Sequence, residues 1–109
     1  MSRPIEHELL VSERVQDLCR AFEAASSDDE QMLRFLRDLL SFRELQDIAN
    51  RWAAARLLMS GKTQVATAQQ LGMSTKTISE VALWVHGPFQ TGGYWDVLRK
   101  LDEQAAADR

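Results

Sequence analysis

A chain of 109 residues, 45% hydrophobic and 27% charged, has the length of a single domain and the balance of an ordinary globular protein. No apolar run approaches the ~18 residues of a transmembrane helix, the polar start Met1–Glu8 lacks the apolar stretch of a secretory signal, and one cysteine, Cys19, excludes an internal disulfide and suits a reducing cytoplasm. The net charge of −3 is not that of a strongly basic nucleic-acid binder, so any such role must rest on how the charge is distributed.

In chain order, everything reads as helix, because glycine and proline are scarce before residue 87 and apolar residues recur at helical spacing. Val11, Val15, Leu18 and Phe22 form one stripe of a first helix over about 4–24, with Pro4 in its first turn. Ser26-Ser27-Asp28-Asp29-Glu30 offers an N-cap followed by first-turn acids for a second helix. That helix carries Leu33, Leu36 and Leu40, flanked by Met32, Phe35 and Leu39, a face wide enough to need cover on more than one side. A third helix begins after Ser41, with Glu44 at capping-box spacing, and runs to about Ser60 before the stop at Gly61. Its apolar face is Leu45, Ile48, Trp52, Ala55 and Met59. Residues 86–93 read as a loop, Tyr94–Gln104 as a last helix, and Ala105–Ala107 as a fraying tail. The expected organisation is one domain over 1–109. It divides into a dimerisation arm (1–40), a central helix (41–61), a helix-turn-helix (62–86), and a loop with the C-terminal helix (87–109).

Residues 64–81 carry the functional signal. A helix-turn-helix needs a small residue where its two helices cross and a left-handed turn residue four positions later; Ala68 and Gly72 supply them. Ile78 and Val81 are spaced to seat the second helix on the first, facing Val65 and Leu71, and Thr63 and Ser74 stand where N-caps belong. A plain helical hairpin would explain Ala68 and Gly72 but not the polar face Ser74, Thr75, Lys76, Thr77, Ser79 and Glu80. A recognition helix presents such a face to base edges in the major groove. Lys76 can donate to guanine, Glu80 can accept from cytosine, and serine and threonine can pair with either kind of partner. Lys62, Thr63 and Gln64, together with the helix N-termini, are placed to hold phosphates. For Gln64 and Ser79 a solvated surface role is the simpler reading, whereas Thr75 and Lys76 read as contacts. Charge distribution permits this: residues 1–40 carry 5 basic against 9 acidic side chains, while 62–91 carry Lys62 and Lys76 against Glu80. The DNA partner would therefore be held by a modest, salt-sensitive field.

Beyond that motif, Leu39–Leu101 resembles the Trp repressor family. The carriers are LLSFRELQDIANRW (39–52), LLMSGKT (57–63), STKTIS (74–79) and the last helix after a glycine loop. The run GGYWDVL (92–98) is similar to the YerC-type, Trp-repressor-like branch rather than to the tryptophan-sensing members. Residues 1–38 match only in being two helices. The resemblance implies an all-α, six-helix fold, an intertwined homodimer, and two recognition helices reading a roughly palindromic double-stranded DNA operator. It also implies a ligand site at Ser41, Arg51 and Glu80. Arg51 matches the family's first corepressor arginine and Ser41 a threonine lining the pocket. The second arginine falls on Glu80 and the following glycine on Val81. A glutamate cannot offer a guanidinium's fork of donors and repels a carboxylate, which argues against L-tryptophan as effector. A salt bridge from Arg51 to Asp47 or Glu80 is the simpler expectation for that arginine.

The remaining residues point to no chemistry. Trp52, Trp84, Trp95 and the phenylalanines read as core and interface residues. Cys19 reads as a buried thiol without an activator. His7, His86 and Cys19 are not at metal-ligand spacing, and Gly92-Gly93 reads as a helix lead-in. No metal, cofactor or catalytic residue is expected, and the chain does not read as an enzyme. The alternative to a DNA-binding regulator is a protein–protein interaction module that keeps the fold without binding DNA, which the weak positive field and Glu80 favour.

Overall fold

The computed structural model describes Glu8, Leu9 and residues 11–108. Among these residues the fold is all helical, with six helices and no strand: α1 (Glu13–Ala25), α2 (Asp29–Leu39), α3 (Phe42–Met59), α4 (Gln64–Leu71), α5 (Thr75–Val85) and α6 (Gly93–Ala107). Two compact units divide the chain, one ending at Leu45 and the other running from Gln46.

Five of the six helices start where a side chain can satisfy free N–H groups, and α6 starts at Gly92 without a side-chain cap. Ser12 caps α1 by accepting from Val15 N at 3.3 Å, and Asp28 caps α2 by accepting from Glu30 N at 3.0 Å. The first helix therefore does not run unbroken from residue 4, because Val11 and Ser12 leave the helical conformation and Ser12 serves as a cap. Pro4 and His7 lie outside the described residues. At α3 the anticipated capping box forms in both directions. Glu44 N donates to Ser41 Oγ at 3.1 Å, and Ser41 N donates to Glu44 Oε1 at 2.9 Å. Hydrogen bonding from Ser41, first through its backbone N–H and then through its side chain, holds the Glu44 carboxyl below the ordinary carboxylate range.

The first unit packs α1 on α2, with Phe22 and Phe35 edge to face at 5.4 Å. Ala25 is its buried hydrophobic residue, while Leu18, Leu33 and Leu39 stay well exposed and Phe42 is 73% exposed beneath Arg37. Cys19, expected to be buried, is exposed, because it stands on the outer edge of the Val15/Phe22 stripe.

The second unit holds the core. Ala54, Ala55, Leu58 and Met59 of α3, Ala68 of α4, and Ile78, Val81, Ala82 and Val85 of α5 are buried together. Trp52, Leu71, Met73, Tyr94 and Leu98 pack around them. The end of α3 is closed by a Schellman pattern: Lys62 N reaches Leu57 O and Gly61 N reaches Leu58 O, both at 3.1 Å, with Gly61 at φ +95°. Val65, expected to face Ile78 and Val81, is instead 60% exposed, and Thr67 takes the inward place at 0% exposure. Thr67 can do so because its hydroxyl donates to Thr63 O at 2.8 Å, leaving no polar group unmatched. The tail Ala105–Ala107 stays helical, as the high helix propensity of alanine favours.

Two outcomes follow from these local geometries. Gly72 sits at φ +64° with open space where a Cβ would point, so the cost of replacing it is conformational, not a clash with neighbours. Gly72→Val should lower stability by about 2 kcal/mol in denaturant titration and Gly72→Asn by clearly less, since asparagine tolerates the left-handed region. Equal melting of all three proteins would contradict the turn. Glu44 binds its proton less readily folded than unfolded, so its contribution is present above the ordinary carboxylate value. It is lost as pH falls through the lowered folded value. Denaturant midpoints of wild type and Glu44→Gln should therefore differ by a constant amount near neutrality and converge on the acid side.

Candidate nucleic-acid interface

The α4–α5 pair is built from short-range signals. Thr63 Oγ1 caps α4 by accepting from Ala66 N at 3.1 Å, and Gly72, at φ +64° and ψ +32°, ends the helix with its N–H on Ala68 O. Met73 N shares the Ala68 carbonyl at 3.0 Å, which reverses the chain within three residues. Ser74 Oγ then caps α5 through Thr77 N at 3.1 Å. Ala68 is 6% exposed, so its methyl group lies where a larger side chain would push the pair apart. Buried Ile78, Val81, Ala82 and Val85 recur at i, i+3, i+4 and i+7, which turns the opposite face of α5 outward.

The outward residues divide by whether they already have partners. Ser74 and Thr77 are joined, hydroxyl to hydroxyl, at 2.9 Å, and Thr63 is occupied by its cap. Ser79 Oγ donates to Gln64 Oε1 at 2.8 Å, tying the middle of α5 to the first turn of α4. Lys62 donates to the Gln70 side-chain oxygen. Thr75, Lys76 and Glu80 are exposed and, among the described residues, make no side-chain hydrogen bond or ion pair. Lys76 precedes Glu80 by four residues, the less favourable order for such a pair. The first turn of α5 thus presents an uncommitted cation and hydroxyl next to the positive end of the helix dipole.

The C-terminal end of α5 is held differently. Trp95 Nε1 donates to Val85 O at 2.8 Å, and His86 Nε2 contacts Leu58 O at 3.1 Å, where a carbonyl can only accept. The two rings lie 5.7 Å apart. Gly87 turns so tightly that a Cβ there would sit 2.7 Å from Leu83 Cα. The sequence gives no sign of these ties, since tryptophan and histidine at a helix end read as ordinary packing.

The three residues of the expected ligand site have separate roles. The hydroxyl and N–H of Ser41 are both taken up by the capping box. Arg51 is exposed and forms no ion pair among the described residues, so the expected bridge to Asp47 or Glu80 is absent. Exposed on a helix surface, its guanidinium gains little from pairing. Instead Arg56 lies over the Trp52 ring at 6.0 Å, and Trp52 stacks on Tyr94 at 6.1 Å. An open groove of about 420 Å³ follows α6 between Trp95, Leu98, Arg99, Asp102, Glu103 and Ala106, and no candidate residue lines it. Among the described residues, no three His, Cys, Asp or Glu side chains gather to hold a metal, and no helix is long and apolar enough to cross a membrane.

The chain is 37% identical over 70 residues to the uncharacterized protein YerC of Bacillus subtilis (strain 168), covering 62% of this chain and 67% of that protein. No solved structure matches it. The family model for the Trp repressor protein matches residues 13–102, which takes in α1 and α2 as well as the Leu39–Leu101 stretch. The chain belongs to the Trp repressor family.

Proposed function

We propose that this protein is a sequence-specific, DNA-binding transcription regulator, acting as a homodimeric repressor in the bacterial cytoplasm. In this reading α4 and α5 are a helix-turn-helix and α5 is the recognition helix. The observation that carries the reading is the first turn of α5. Thr75 and Lys76 are exposed and uncommitted there, while the adjacent Ser74 and Thr77 are bonded to each other and Ser79 to Gln64. A surface that only needed solvation would have no reason to separate its residues in this way. Family membership supports the same reading.

In the proposed complex Thr75 and Lys76 meet base edges, Ser74, Thr77 and Glu80 flank them, and Lys62, Thr63, Gln64 and Ser79 lie toward the phosphates. Two recognition helices would enter successive major grooves about 34 Å apart, the spacing general to helix-turn-helix dimers. Homodimerisation is supported by apolar side chains that the single chain leaves outside, among them Leu33 at 57%, Ile48 at 52% and Phe42 at 73% exposure. The whole 1–109 chain would then act as one domain within the dimer. Tryptophan is not the proposed effector: Glu80 stands where a carboxylate would need a cation, and Ser41 is committed to its cap.

The test is a titration of genomic DNA fragments at low and moderate salt, with and without L-tryptophan, followed by sequencing of what is retained. Enrichment of a palindromic site regardless of tryptophan is expected. Enrichment only with tryptophan would overturn the reading of Glu80, and none in any condition would favour a protein-interaction module. On the enriched site, Lys76→Ala should cost about 1–3 kcal/mol of binding free energy if Lys76 pairs with a base. A loss equal across all DNA sequences would make Lys76 a phosphate contact instead.

A further inference from the structure

The core beneath α5 is smooth. Of the five buried residues that α3 and α4 bring to it three are alanines, Ala54, Ala55 and Ala68. Apolar contact is non-directional, and small side chains offer shallow ridges, so such a core holds a helix down without fixing its direction. Beyond the turn at Gly72, direction therefore rests on hydrogen bonds. Around α5 these gather at the C-terminal end, where Trp95 Nε1 meets Val85 O at 2.8 Å and His86 Nε2 meets Leu58 O at 3.1 Å. His86 N and Gly87 N both close on Ala82 O, at 2.9 and 3.1 Å, and Phe89 N on Leu83 O at 3.2 Å. The tie joins the last turn of α3, the last turn of α5 and the first turn of α6. Toward its N-terminus, α5 has the Ser79–Gln64 bond as its side-chain tie to α4.

We infer that His86 and Trp95 are positioning residues that set the direction of α5, and so govern which DNA sequence it reads without touching DNA. The inference rests on the proposed reading of α5 as the recognition helix. Its physical basis is leverage. An α5 of 11 residues is about 16 Å long, so a tilt of roughly 10° about its C-terminal end carries the first turn about 3 Å. Hydrogen bonds to base edges tolerate only a few tenths of an ångström. Long lysine side chains reaching phosphates absorb such a shift, because their ammonium is a point charge on a flexible stem. Loosening the tie should therefore cost discrimination between sequences and leave the salt-dependent, sequence-independent affinity in place.

The experiment compares two duplexes of equal length, one selected by the wild-type protein from a randomised pool and one with its bases shuffled. Affinities for both, their salt slopes and the melting temperature are measured for wild type, Trp95→Phe, His86→Leu and His86→Gln. Trp95→Phe keeps the ring and removes the N–H; His86→Gln keeps a donor that His86→Leu lacks. Trp95→Phe and His86→Leu should reduce the ratio of selected to shuffled affinity by about tenfold, the size of one weakened base contact. Shuffled-duplex affinity and salt slope should stay at wild-type values, and His86→Gln should recover most of the ratio. Should a variant melt lower, all comparisons are repeated well below its transition, where only the folded form is present. An unchanged ratio in both variants, or equal loss on both duplexes in step with melting temperature, overturns the positioning role. If the wild-type protein itself prefers no duplex, the recognition-helix reading falls and the inference with it, whereas a selective wild type with equally selective variants sinks the inference alone.

Discussion

The chain reverses direction at Gly72, and the arrangement of the second unit depends on that reversal. A left-handed residue there lets Ala68 O receive two N–H groups and brings Ser74 into position to cap the next helix within two residues. Were the turn longer, Ile78 and Val81 would fall out of register with Leu58 and Ala68, and the core would lose its central layer. Glycine is required by backbone conformation alone, for nothing crowds the space its side chain would occupy. Ala68 is required for the complementary reason, because it lies buried where the pair closes.

The same constraint divides the polar residues of the pair into two groups. Most are used up in holding the pair: Thr63 and Ser74 satisfy free helix ends, Thr77 pairs its hydroxyl with that of Ser74, and Gln64 and Ser79 bind one another. The residues left over, Thr75, Lys76 and Glu80, stand on the first turns of α5, where the helix dipole favours anions and where a groove-reading helix presents its side chains. The slight positive balance of residues 62–91 in a chain of net charge −3 is consistent with this economy, since directional contacts do not require a strong field. The acidic residues concentrate before residue 41, away in sequence from the pair.

The two units differ in how much apolar surface they enclose. The second gathers nine buried residues around α3, α4 and α5, while in the first, among the described residues, Ala25 is the buried hydrophobic residue and Leu9, Leu18, Leu33 and Leu39 stay exposed. A pair of helices with so little of its apolar surface covered is marginal alone, because buried area must offset the entropy of ordering the chain. Leu18 of α1 and Leu33 and Leu39 of α2 are the large apolar side chains of these two helices that, among the described residues, stay uncovered.

Much of this was legible in the residues. Helical class, the stop at Gly61, the Ser41–Glu44 box, the caps at Thr63 and Ser74 and the turn at Gly72 all depend on neighbours within a few positions, where residue type and spacing decide the conformation. Gln64 and Ser79, which by residue type alone read as solvated surface residues, are bonded to one another across the pair. Tertiary structure decided what spacing leaves degenerate. Val65 and Thr67 are two positions apart on a short helix, and only packing selects the threonine, with its hydroxyl turned back on Thr63, for the interior. The exposure of Cys19, the unpaired Arg51, and the grip of His86 and Trp95 on carbonyls of α3 and α5 belong to the same class. Periodicity tells which face of a helix is apolar, but hydrogen bonds between residues 10 and 28 positions apart form only once the helices have been brought together.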